Sequence, residues 1–529
     1  MALFLLGGTP LAAQDHEHGA TGGEQLGRVV FPVSCAEDVQ PEFERAVAML
    51  HSFWFEQAQA AFEQVAASDP QCAMAHWGLA MTLLGNPMAR ISPSPERLQA
   101  AADAAERAGS LAGTATQRER GYVDAVLALY REHASLDHAT RMRRHEAALQ
   151  ALHERYPEDA EAAVFYARAV VANAPPEDLA FERQMVGVGI MEPLFLAQPD
   201  HPGLAHYLIH AYDAPPIAGQ GLQAARRYAA IAPSAPHALH MPSHIFTRLG
   251  YWQESIDTNR RSADAQENPD TAVHPLDYMV YAYLQLGQDE EAERVVERTV
   301  QVPDQFYQGV LGYNFTAMPA RLALERSRWD EAARLPLPTG APPYVEAITR
   351  FARAVGAARS GGVEAARQEV AALASLRDTL ESRNDAFWAT IVKAQGLAAS
   401  AWVARAAGDD AEAERLARAA AELEETVEKH PVTPGPILPA RELQGDLLFE
   451  LGRPAEALVA YEKTLEREPR RARALDGAAR SAEAAGNDPA ARAHYAALVE
   501  LLSPESSRAA LSRARAFLQG TGSDRKPGS

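Results

Sequence analysis

The sequence predicts an all-α solenoid, a stack of antiparallel helix pairs. Three observations carry that expectation. Alanine-rich stretches run through the chain while aromatic residues make up only 7%, which favours closely packed helices over a β sandwich. A pattern of aromatic, small and proline residues recurs with a period of about 34 residues. Between its clear copies the apolar spacing stays helical and is punctuated by capping residues. The 529 residues correspond to roughly three or four ordinary domains or to one long repeat array.

Residues 1–13, MALFLLGGTPLAA, form a short apolar run ending in small residues. The run reads as a secretory signal cut after Ala13, although it lacks the usual basic start. Residues 14–30 are polar and glycine-rich and read as a flexible linker. Cys35 and Cys72 are the only cysteines. In an exported protein they can pair and staple the ends of one helical hairpin. Otherwise they are two small buried hydrophobes.

The first clear unit has Phe55, Ala58, Phe62 and Pro70, followed by Trp77 and Leu79. Here the alanine lets two helices approach, the aromatics fill the space between hairpins, and the proline ends the unit. The frame returns with Gly250, Trp252 and Ser255, with Gly287 and Ala292, and with Trp329 and Ala332. Its cleanest copy has Gly452, Ala457, Tyr461 and Pro469. Thr116 to Glu119 reads as a capping box opening a helix between units.

These units resemble the tetratricopeptide repeat family over about half of the chain. The strings HYLIHAYD, from His206, and APHALHMPSHIFTRLG, from Ala235, resemble a subgroup of exported bacterial members. The resemblance implies a right-handed superhelix of antiparallel helix pairs whose concave groove binds a peptide or protein partner. It implies no established activity. In that frame, residues 31–345 form an N-terminal superhelix and 346–430 a further helical region. Residues 431–518 form C-terminal repeats, opened by the rigid proline-rich linker 431–439, and 519–529 a disordered tail. The chain is then periplasmic or secreted.

Fifty basic against seventy acidic residues leave a net charge of −20, which argues against a nucleic-acid partner. There is no apolar run of membrane-spanning length. Dinucleotide and phosphate loops, the serine-hydrolase elbow and the H-E-x-x-H zinc motif are all missing.

The chemistry lies in the histidines. Five of the seventeen, His206, His210, His237, His240 and His244, fall within one stretch of 39 residues, where an even spread would place about one. His201 and His274 flank them. The repeat frame puts His206 and His210 at the fifth and ninth places of one helix. His237, His240 and His244 take the second, fifth and ninth places of the next, and His274, Asp277 and Tyr281 those places of a third. These places span an arc of about 60° on a helix, the arc that lines the concave groove. Imidazoles at i, i+4 on neighbouring helices make a ligand set for zinc, copper, iron or nickel, with copper or zinc foremost. Asp277, Asp213, Tyr281 and Tyr207 are candidates to complete or orient that set. The bland alternative is a groove whose histidines bond backbone carbonyls. Pro242 either kinks the helix carrying His240 and His244 or starts its regular part.

Smaller constellations are weaker. Arg321 falls where it could bind a carboxylate in the groove. Glu442 and Asp446 reach the histidines only if the superhelix closes on itself. Cleavage after Ala13 would free Gln14-Asp15-His16, a terminus able to bind Cu(II) or Ni(II). An open coordination position would turn the same histidine site into a metalloenzyme. A plain protein-interaction scaffold without metal is the remaining alternative.

Overall fold

Turns that reverse the chain after each helix set the architecture. The computed structural model describes residues 23–266, 272–299 and 310–520, and among these no strand occurs. The expected signal 1–13, the terminus at Gln14 and nearly all of the tail 519–529 lie outside the described residues. Gln40–His51 pairs with Phe55–Ser68 and Ala73–Leu84 with Pro95–Leu111, and the alternation runs on to Ala472–Ala484 with Asp488–Leu501. The first helix of a pair also touches the first of the next, as Val273–Leu286 touches Val310–Glu325. That double contact stacks hairpins into a tetratricopeptide-like solenoid. The repeat residues do the packing. Ala58, Phe62 and Trp77 are buried, and the Phe62 ring sits where a Cβ on Gly78 would be.

The apolar core falls into three groups. One runs from Leu26 to Phe246. A second joins residues 252–322 to the last repeats, 448–514. A third covers residues 313–447. The boundaries expected at 345 and 430 do not coincide with these groups, because the last repeats return to the middle of the chain. Trp252 Nε1 donates to the Arg470 carbonyl at 3.0 Å. Gly250, in left-handed backbone at φ +69°, lies so close to Pro469 and Arg470 that a Cβ would come within 2.7 Å of both. Only glycine fits both demands.

Cys35 and Cys72 are bridged, with Cα atoms 4.9 Å apart. The bond closes the first helix pair, Gln40–His51 with Phe55–Ser68.

Residues 431–439 are not a spacer. Together with 426–430 they form a strap laid along the inner surface of the solenoid. Arg321 donates to the carbonyls of Pro436 and Gly435 at 2.5 and 2.7 Å and to Thr433 Oγ1 at 2.8 Å. Asn314 Nδ2 donates to the Val432 carbonyl. Lys429 Nζ reaches Asp213 Oδ2 at 2.8 Å, and the Glu428 N–H donates to the Pro176 carbonyl. The expected rigid linker is therefore not a free-standing spacer between helical regions, because side chains from elsewhere in the array hold it in place. Among the described residues no helix is long and apolar enough to cross a membrane.

Candidate metal centre

Six imidazoles come together beneath this strap, in two adjoining trios. His206 and His210 stand one turn apart on Pro202–Tyr212, and His237 reaches them from the short helix Pro236–His240. His240 ends that short helix. A new helix, Pro242–Arg248, starts at Pro242 and carries His244, while His274 comes from Val273–Leu286. The break at Pro242 lets consecutive residues of one repeat serve both trios. Within each trio one nitrogen from every ring lies within 4.8 Å of the others. Between trios the His210 and His244 rings are 5.7 Å apart, and those of His237 and His240 are 5.9 Å apart. All five histidines of the sequence cluster are thus brought together with His274.

The outer ring atoms are anchored so that the inner ones face inward. His206 Nδ1–H donates to the His51 carbonyl at 2.6 Å. His240 Nδ1–H donates to Asn259 Oδ1 at 2.6 Å, and the amide is oriented by its own Nδ2 donating to the Ser255 carbonyl. His244 Nδ1–H donates to Asp213 Oδ2 at 2.8 Å. A neutral imidazole has one proton, so His240 and His244 point bare Nε2 lone pairs at each other across 3.0 Å. His206 and His237 bring their Nε2 atoms to 3.1 Å. Two ligands of one tetrahedral ion with bonds near 2.0–2.1 Å stand about 3.3 Å apart. The third nitrogens, His210 Nε2 and His274 Nδ1, are buried with no hydrogen-bond partner.

Protonation does not relieve these contacts. Burial pushes all six imidazoles below the ordinary histidine value. Neighbouring imidazoles push five of them the same way, and Lys429 and Arg248 do so for His244. Asp213 pulls His244 and His210 back up, without offsetting their burial. Burial would raise the Asp213 carboxyl, but Lys429, Arg248 and His244 hold it well below the usual carboxylate range. It therefore orients His244 as an anion, the arrangement that fixes tautomers around bound metals.

Six other candidates stand elsewhere. Asp277 is fully buried against Arg321 at 3.2 Å and Asn314 at 3.1 Å, so its oxygens are taken and it joins neither trio. Arg321 binds that internal carboxylate and the strap rather than a ligand in an open groove. The Tyr281 hydroxyl donates to Glu468 Oε2, and its ring lies under Arg321 and Arg471. The Tyr207 hydroxyl bonds His51 Nδ1 at 3.0 Å. Glu442 and Asp446 do not meet the histidines even though the array folds back; Arg471 and Arg473 take Glu442, and Arg473 and Tyr461 take Asp446.

Sequence reasoning missed the aromatic walls. Tyr278 packs its ring 5.0–5.3 Å from those of His240, His244 and His274. Its signal was its place four residues after His274. Phe53 packs 4.4 Å from His206 and 5.3 Å from His237 and is held in left-handed backbone at φ 52°, a strain typical of functional sites. Also missed was a buried assembly of His51, Glu161 and His201. Glu161 accepts from His51 Nε2 at 2.9 Å and from His201 Nε2 at 2.7 Å, while Tyr207 and the Leu204 N–H donate to the other ring nitrogens. No ring-nitrogen lone pair is left for a cation. The assembly instead fixes His51, whose carbonyl orients His206.

No family model and no curated protein matches the chain. Solved structures that do match include yeast Tom70, at 11% identity over 92% of this chain and 97% of that one, with a TM-score of 0.35. Naa15/Naa10 bound to HypK-THB matches at 12% identity over 92% and 73%, with a TM-score of 0.24. The tetratricopeptide domain of P58(IPK) matches at 12% identity over 92% and 100%, with a TM-score of 0.20. Likenesses at this level carry no argument about ligand or activity. The fold assignment stands on the stacked helix pairs themselves.

Proposed function

We propose that the chain is an exported α-solenoid that houses a transition-metal centre of six histidines, with copper or zinc as its ion. The observation that carries this reading is the His240–His244 contact. Two lone pairs 3.0 Å apart, with both ring protons committed outward, repel unless a cation lies between them. Burial disfavours a proton in that role, and a metal ion satisfies both nitrogens. The anchored Nδ1 atoms and the orphaned nitrogens of His210 and His274 support the same reading. Export is supported by the apolar run at 1–13 and by the Cys35–Cys72 bridge, since such bonds persist in oxidising compartments.

A peptide or protein partner, which the repeat resemblance implies for a concave groove, would have to bind away from this centre. Beside the histidines that surface is covered by residues 426–437 of the chain itself. The test is elemental analysis of the purified protein beside the double variant His240→Ala/His244→Ala. Stoichiometric metal in the parent, lost in the variant at unchanged helicity, is the expected result. A parent that neither contains metal nor takes it up after dialysis would leave only the scaffold.

A further inference from the structure

Two trios of one ligand type, side by side, ask for more than storage of an ion. Resting on the reading of these histidines as ligands, the geometry points to a coupled pair of copper(I) ions that binds dioxygen between them. Three features lead there.

The first is the donor set. Each trio offers three neutral imidazoles and no anion. Both nearby carboxylates are withheld: Asp213 is held by Lys429, Arg248 and His244, and Asp277 by Arg321. Imidazole suits copper, and three ligands leave each ion open on one side.

The second is charge. The centre is buried beside two nearly inaccessible cations, Lys429 and Arg248, and the carboxylates there, Asp213 and Glu428, are spent on pairing with them. Uncompensated charge is costly in such a place. Two divalent ions would bring four positive charges there without an anionic ligand, whereas two copper(I) ions bring two. Dioxygen preserves that lower charge. Each copper(I) gives up one electron, and the two electrons reduce O₂ to peroxide. The O–O double bond becomes a single bond, and copper–oxygen bonds form to both ions. Two copper(II) ions with one peroxide dianion again carry two positive charges. No proton and no further reductant is required.

The third is shape. The trios adjoin along two edges, His210 with His244 and His237 with His240, so their open sides can share one diatomic molecule. Phe53 and Tyr278 wall the centre with carbon. A cavity of about 60 Å³ between Met88, Phe181 and Lys429 reaches His210 and Asp213, large enough for a small neutral molecule.

The test loads the metal-free full chain with copper(I) under anaerobic conditions, desalts it, and then admits air. Two coppers per chain, an intense near-ultraviolet band in air and no electron paramagnetic resonance signal are expected, because paired copper(II) spins cancel. A zinc-loaded sample should show no band. His237→Ala, with helicity checked by circular dichroism, should hold one copper, lack the band and give the signal of isolated copper(II). Retention of a single copper by the parent chain, or two coppers that oxidise to the isolated signal without the band, would overturn the dioxygen inference and leave the metal centre standing. Failure to retain any copper or zinc would overturn both.

Discussion

Lys429 Nζ lies 2.8 Å from Asp213 Oδ2, joining residues 216 apart in sequence. The same oxygen accepts from His244 Nδ1 at 2.8 Å, and Arg248 Nε binds the other at 2.9 Å. One carboxylate therefore secures the strap and orients a candidate ligand.

Asp213→Asn should show how much that orientation matters. The amide keeps the shape but loses the charge, and it presents N–H groups where two cations and an imidazole N–H already converge. Metal affinity, measured by competition with a chelator, should fall about 10–100-fold while the helical circular dichroism stays unchanged. Unaltered affinity would mean that His244 is held by packing alone.

Arg321→Met should loosen the strap and destabilise the fold. Arg321 and Asp277 are both fully inaccessible, so the variant strands a carboxylate in the interior, at a cost of about 3–5 kcal/mol. Urea denaturation should show the loss, and proteolytic cleavage within residues 431–437 should speed up. Adding Asp277→Leu should recover part of the stability, since it removes the stranded charge.

The repeat frame was legible because its packing is local. Phe62 over Gly78 joins residues on neighbouring helices. The approach of Gly250 to Pro469 and Arg470, more than 200 positions on, was not legible in this way. The histidine cluster was legible for the same reason, since i, i+4 spacing on a helix fixes a shared face. The frame failed at its third helix. Of His274, Asp277 and Tyr281, which it singled out there, only His274 joins the centre, and Tyr278 rather than Tyr281 packs beside it. Asp277 was misread because its partner, Arg321, lies 44 positions away, a distance no local periodicity reports. The strap was misread for a related reason. PVTPGPILP has the composition of a linker, and its burial depends on Arg321, Asn314 and Tyr278, which come from two other helices.

Replacing Cys35 and Cys72 by Ala should lower stability and leave the centre alone. The bridge spans a sequence separation of 37. In the chain-entropy picture a loop of that length contributes about 4 kcal/mol by restricting the unfolded chain. The two residues flank the first helix pair, one before Gln40–His51 and one after Phe55–Ser68, and belong to neither trio. Denaturation with and without a reductant should therefore differ for the parent and coincide for the variant, with metal content the same in both. A drop in metal content would show that the staple also positions the helix ending at His51.

Acid should unfold the protein partly through His145. Its Nδ1 donates to the Ala125 carbonyl at 2.8 Å, its Nε2 is buried without a partner, and only 1% of the residue is exposed. Burial lowers its pKa from 6.5 to about 4. The folded state thus prefers the neutral ring, and between those values the unfolded chain binds the extra proton. The contribution of His145 to stability is complete above pH 6.5 and is lost as pH falls towards 4. Integrated across that window it amounts to about 3 kcal/mol. His145→Asn keeps a donor for Ala125 but cannot titrate there. Its stability, followed by urea denaturation from pH 7 to 4.5, should fall less steeply than that of the parent. Burial pulls His51 down to about 4 as well, so some slope should survive in the variant. Parallel curves for the two proteins would show that His145 is protonated alike in both states and that its burial imposes no acid sensitivity.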